Sequence, residues 1–166
     1  MAILKVVQYP DPILLRKTQP VTVFGSAERD LVRDMIDTMH AERGVGLAAN
    51  QIGVDKQIFV VSADGVRGQE QAYFNPTIIK RSGKIKEFEG CLSVRETYEP
   101  VIRFRNVTLS AQDADGKEIQ VEATDLLSRI FQHEVDHLNG ITFVHRLGWF
   151  KKKKIFKILD KVSAGV

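Results

Sequence analysis

The sequence has one cysteine and one tryptophan among 166 residues, and what it lacks narrows its class before any motif is read. A lone thiol, Cys91, excludes an internal disulfide and with it the small disulfide-framed secreted scaffolds. No apolar run approaches the ~20 residues that a membrane-spanning helix needs. The opening MAILKVVQYPDP has no apolar core of the kind a secretory signal carries. Low-complexity tracts, sustained heptads and internal repeats are missing too, which leaves neither a disordered chain nor a coiled coil nor a repeat array. The expectation is one cytoplasmic domain over residues 1–166, without membrane contact.

Charge of one sign is also scarce, and where it gathers is informative. The net charge is only +3, yet residues 151–166 hold six lysines against Asp160 alone, so the first 150 residues are slightly acidic. Basicity confined to one end argues against DNA as a partner and for a local contact with acidic material, such as RNA phosphates. The remaining composition, 43% hydrophobic and 27% charged, suits a globular chain with a substantial core.

Residues 8–25, with Pro10, Pro12, Pro20 and Gly25, read as an irregular arm. Ser26 is a candidate N-cap for an amphipathic helix carrying Leu31, Val32, Met35, Ile36 and Met39 and ending near Arg43. The glycine-rich GVGLAANQIG follows, then expected strands at 57–62, 73–79 and 101–104. Alternating Val107, Leu109 and Ala111, then Ile119, Val121 and Ala123, predict a hairpin closed at Asp115-Gly116 by a two-residue type I′ turn. Thr124 is a candidate cap for a broad-faced, largely buried helix with Leu126, Leu127, Ile130, Phe131 and Leu138, and Gly140 is its expected C′ residue. The last helix, 150–162, places Ile155, Phe156, Ile158, Leu159 and Val162 on one face and lysines on the other. Consecutive strands without intervening helices predict an α+β fold: antiparallel β-sheets packed around a central metal-binding helix, with a C-terminal amphipathic helix.

The strongest chemical signal is His133-Glu134-x-x-His137. Residues at i and i+4 share a helix face, so two imidazoles can grip one metal while Glu134 leans beside it. A third ligand is needed, and two common plans fail. Glu134 is the last glutamate in the chain, so no downstream Glu can serve. HEVDHLNGITF ends in Phe143 where an extended motif would need a third His. His145 and Asp160 remain downstream, at unfamiliar spacings; the better candidate is Cys91, in the glycine-bent EGCLS. A two-His, one-Cys set leaves a coordination position open for water. On residue type alone Cys91 could equally be a small buried hydrophobe, and Gln51 a turn residue.

Three segments in this order, GVGLAANQ (44–51), EGCLS (89–93) and QHEVDHLNG (132–140), resemble the signature motifs of the peptide deformylases, and YPDPILLRKTQPV with the final helix extends the likeness over nearly the whole chain. The resemblance implies hydrolysis of the formyl group from N-formylmethionyl peptides of nascent chains, with Cys91, His133 and His137 holding Fe2+, for which Zn2+, Ni2+ or Co2+ can substitute. It implies Glu134 as general base and then acid, and the Gln51 amide and the Leu92 backbone N–H as oxyanion donors. Val45 and Gly46 would meet the peptide backbone, with Gly44 and Gly46 permitting close approach, while Val45, Leu126 and Ile130 would wall a pocket for the methionine side chain. Glu89 and Asp136 are candidate partners of the ligating imidazoles. Val94 is followed by Arg95 rather than the family's usual Pro, and Tyr98 stands where many bacterial members carry Arg; both fall near the expected peptide-binding rim. A deformylase would meet its substrate at the ribosome, which the basic last helix could touch. The alternatives are a metallopeptidase of the HExxH type and a non-catalytic RNA-contacting protein with a structural metal.

Overall fold

The computed structural model describes residues 2–163; residue 1 and residues 164–166, the ends of the expected domain, lie outside the described residues. Among the described residues seven strands and three α-helices follow one another: α1 (Ser26–Ala41), β1 (Gly46–Ala48), β2 (Ile58–Val61), β3 (Gln71–Ser82), β4 (Ile85–Cys91), β5 (Val94–Arg103), β6 (Asn106–Gln112), β7 (Glu118–Thr124), α2 (Asp125–Leu138) and α3 (Trp149–Ser163). Five strands form an antiparallel sheet in the order β1-β2-β3-β6-β7, and β4 and β5 pair separately as a second antiparallel sheet. The expected α+β architecture is present. Among the described residues no helix is long and apolar enough to cross a membrane.

The run Ile58-Phe59-Val60-Val61 shows why the large sheet reads as it does. Phe59 and Val61 join Tyr73, Leu109, Ile130 and Phe131 in the core beneath α2, whereas Ile58 and Val60 join Met35, Met39, Leu47 and Phe74 beneath α1. With both faces covered, the strand has no polar side to show. Phe131 meets Phe59 and Tyr73 edge-on, with centroids 5.7 and 5.1 Å apart. A third cluster joins Val94 and Val101 of the small sheet to Phe143, Val144 and Leu147 and to Ile155, Phe156 and Leu159 of α3.

Several local expectations are corrected. β4 was not foreseen, because IKEFEGC is charged and its sheet has only one partner strand. Gly25, not Ser26, caps α1, its N–H donating to Glu28 Oε2 at 3.1 Å. The β6–β7 hairpin is closed by a longer loop than the two-residue turn: Gly116 alone has positive φ (+81°), and its N–H donates to the Asp113 carbonyl at 3.0 Å. A type I turn followed by a left-handed glycine fits this geometry, whereas I′ would require positive φ at Asp115 as well. Thr124 occupies the cap position of α2 without a side-chain hydrogen bond. Leu126, Ile158 and Val162 are exposed rather than core. Gly140 is the expected left-handed residue after α2, and a Cβ there would stand 2.7 Å from the Arg16 backbone nitrogen.

Candidate metal centre

His133 and His137 lie one turn apart on α2, their ring centroids 4.9 Å from each other. β4 delivers Cys91 to the same spot, its Sγ 3.1 Å from His137 Nε2. One donor atom from each of Cys91, His133 and His137 falls within 4.8 Å of the others. The upstream thiol thus completes the set, and a thiolate with two imidazoles is a donor set that suits a divalent transition metal.

The surroundings fit a cation. His133 Nδ1 lies 3.0 Å from Glu89 Oε2, which leaves Nε2 as the ligating atom. Burial pushes the Glu89 carboxyl up, but hydrogen bonds from His133 and Arg103 outweigh it and hold the group well below the usual carboxylate range. Arg103 grips Glu89 with two bonds, Nε to Oε1 at 2.9 Å and Nη2 to Oε2 at 3.0 Å, and Arg129 binds the same carboxylate. Although burial lowers the pKa of His133, its hydrogen bonds to Cys91 and Glu89 raise it well above the ordinary value. Burial, with the charges of His133 and Arg103, keeps His137 well below the ordinary imidazole value, hence in the neutral form that ligates.

Asp136 does not contact either imidazole. It lies against Arg103 and accepts from Arg146 Nε at 3.0 Å, so it neutralises arginines rather than orienting a ligand. Arg103 and Arg129 are functional neighbours that the sequence reading missed. Arg129 carried a usable signal, a charge four residues before His133 on the helix face that packs inward.

Glu134 points beside the cluster rather than into it. Its Oε2 is buried with no hydrogen-bond partner, and burial pushes the carboxyl up to about 7. Gly46 passes so close that an added Cβ would stand 2.5 Å from Glu134 Oε1 and 2.9 Å from Ile130 Cγ2. The glycine therefore makes room for the carboxylate, where the sequence suggested room for a peptide. Gln51 is buried; its Oε1 accepts the Ala48 N–H at 2.9 Å, which turns Nε2 towards Cys91 Sγ at 3.6 Å and Ser93 Oγ at 3.3 Å.

These groups open onto a cavity of about 760 Å3 whose polar wall includes Gln51, Cys91, His133 and Glu134. Val45, Leu92, Leu126 and Ile130 add apolar lining, and Gly46 lies between them and Glu134. His137 is fully buried behind the wall. Among the described residues β1 pairs with β2 alone, which leaves its other edge free beside this opening. Apart from Asp136, the site residues read from the sequence are therefore gathered at or directly behind one cavity.

Comparison with known proteins bears directly on this site. A family model described as "Polypeptide deformylase" matches residues 3–153. A peptide deformylase of Acidobacterium capsulatum is 40% identical over 165 residues, covering 98% of this chain and 97% of the relative. The crystal structure of a peptide deformylase from Legionella pneumophila superposes with a TM-score of 0.91 at 39% identity, over 98% of this chain and 96% of that one. One from Ehrlichia chaffeensis, solved in complex with actinonin, gives 0.88 at 36% identity, over 97% and 98%.

Proposed function

This chain belongs to the polypeptide deformylase family, and from that we propose a division of labour among its residues. The chain is a metal-dependent hydrolase that removes the formyl group from N-formylmethionyl peptides and releases formate. Neither the metallopeptidase nor the RNA-contacting alternative gains support from its relatives. We assign residues 1–166 to a single deformylase domain, acting in the cytoplasm on nascent chains.

Cys91, His133 and His137 would hold the metal, taken to be Fe2+, with Zn2+, Ni2+ or Co2+ able to substitute. When bound there, the cation supplies Lewis acidity, polarising a carbonyl and making water acidic enough to attack at neutral pH. The Glu134 carboxylate, in the cavity wall, takes a proton from the attacking water and returns it to the departing amine as the formyl C–N bond breaks. Gln51 Nε2, held in place through Ala48, and the Leu92 N–H donate to the developing oxyanion, each such donor worth about 3 kcal/mol. The free edge of β1 at Val45 accepts the peptide as an added strand. Ile130, with Val45 and Leu126 at the mouth, receives the methionine side chain. The observation that carries this reading is the convergence of Cys91, His133 and His137 with an unpartnered Glu134 in one cavity wall. Its test is release of formate from formyl-Met-Ala-Ser by protein purified anaerobically, with metal content measured on the same sample. The iron form should turn over faster than the zinc form at matched occupancy, and equal rates would remove iron from the proposal.

The lysine-bearing face of α3 supports a contact with the ribosome. Ile155, Phe156 and Leu159 pack inward, which leaves Lys153, Lys154, Lys157 and Lys161 exposed.

A further inference from the structure

Two aromatic side chains at the cavity mouth are left without a role by the chemistry above. Phe88 of β4 and Tyr98 of β5 are 58% and 68% exposed, yet their rings stack with centroids 5.4 Å apart and planes 12° from parallel. Phe88 is in register with Pro100, so Tyr98 is its diagonal neighbour across the pair. The Tyr98 ring also lies against Gly90, where an added Cβ would meet its Cδ2 at 3.0 Å. The ring is thus laid down on the hairpin backbone, one residue from Cys91. Both rings line the cavity that holds Cys91 and Glu134. Single exposed apolar side chains are ordinary on a protein surface. A stacked pair at the mouth of a substrate cavity is a preformed apolar platform of low conformational entropy, the kind of surface that recognises a side chain.

Register identifies the side chain. With the formyl carbon beside Cys91, the third residue of an extended substrate lies three peptide units away, about 10 Å. Phe88 lies three residues before Cys91 on β4, the same ~10 Å along the strand. In an extended chain the first and third side chains share one side and the second faces away, so the third residue meets the wall that the methionine enters. We propose that the Phe88–Tyr98 stack selects an aromatic side chain at the third residue of the formyl-Met peptide. This rests on the deformylase reading and extends it from the formyl group to the sequence that follows.

The test compares kcat/KM for formyl-Met-Ala-Phe, formyl-Met-Ala-Ser, formyl-Met-Ala-Glu and formyl-Met-Phe-Ser. It uses the metal-loaded wild type, Tyr98→Ala and Tyr98→Phe, with bound metal measured for each. The wild type should prefer Phe over Ser at the third residue by about 10-fold, chiefly through KM. The ratio should fall to within about twofold in Tyr98→Ala and be kept in Tyr98→Phe. Equal use of Phe and Ser, preference for Glu, an aromatic preference at the second residue instead, or a ratio that survives Tyr98→Ala would overturn the proposal. Failure of the metal-loaded wild type to deformylate any of the four peptides would overturn the deformylase reading itself, and the platform with it.

Discussion

Replacing Gly46 by alanine adds one methyl group where the structure has no space for it. Gly46 does not have positive φ, so the backbone accepts alanine and the whole effect is the collision of the new Cβ, 2.5 Å from Glu134 Oε1 and 2.9 Å from Ile130 Cγ2. Contact at ordinary van der Waals distance needs a retreat of about 1 Å. The carboxylate is buried in the cavity wall, so any retreat carries it off its observed position, and Ile130 is held on the same helix. Overpacking of this kind costs about 1–3 kcal/mol, and at about 2–4 °C per kcal/mol for a chain of this length Tm should fall by roughly 2–12 °C. A 1 Å displacement of a catalytic group is worth on the order of 10²-fold in rate, so Gly46→Ala should lose about that much kcat. Metal content should stay near stoichiometric, because none of the three ligands is touched. Gly44→Ala is the internal control: its Cβ would meet Leu92 Cδ1, the mobile end of a partly buried side chain, at 3.0 Å, and should cost less than tenfold. Formyl-peptide kinetics, thermal melting and metal analysis on the two variants decide the matter. A Gly46→Ala enzyme with wild-type kcat would show that Glu134 does not need its observed position.

Other outcomes follow from the same geometry. Glu89→Gln removes the carboxylate behind His133 and leaves Arg103 and Arg129 buried without their shared anion. It should weaken metal binding by about 10–100-fold and lower stability by about 3–5 kcal/mol, read by metal titration and denaturant unfolding. Replacing Lys153, Lys154, Lys157 and Lys161 together by glutamine should abolish the salt-sensitive part of ribosome co-sedimentation, and unchanged sedimentation would end the ribosome proposal.

How much of this was legible in the sequence depends on how local each signal is. His133, Glu134 and His137 lie within one helical turn and a half, so spacing alone implied a shared metal. Cys91 is 42 residues away, and its membership followed from a resemblance and from the failure of two common ligand plans. Phe59, Val61, Ile130 and Phe131 declared themselves core because both sheet faces are covered. β4 was missed because Lys86, Glu87 and Glu89 break its pattern, and Glu89 is buried only through arginines brought in by β5 and α2. The pairs that hold Glu89 join residues 14 to 44 apart in sequence and have no local signature. Leu126 looked like core and is exposed because it sits at the cavity mouth, where helix periodicity cannot tell a pocket from an interior. Ile158 and Val162 continue the apolar face of α3 beyond the surface that receives it.

The central claim is that Glu134 moves the proton while Cys91, His133 and His137 hold the metal. It is tested most directly by measuring bound metal and formate release on the same preparations of Glu134→Ala and His137→Ala. Glu134→Ala should keep near-stoichiometric metal and lose at least ~10²-fold in turnover of formyl-Met-Ala-Ser, whereas His137→Ala should lose metal and activity together. A metal-loaded Glu134→Ala protein that still deformylates at the wild-type rate would contradict the account.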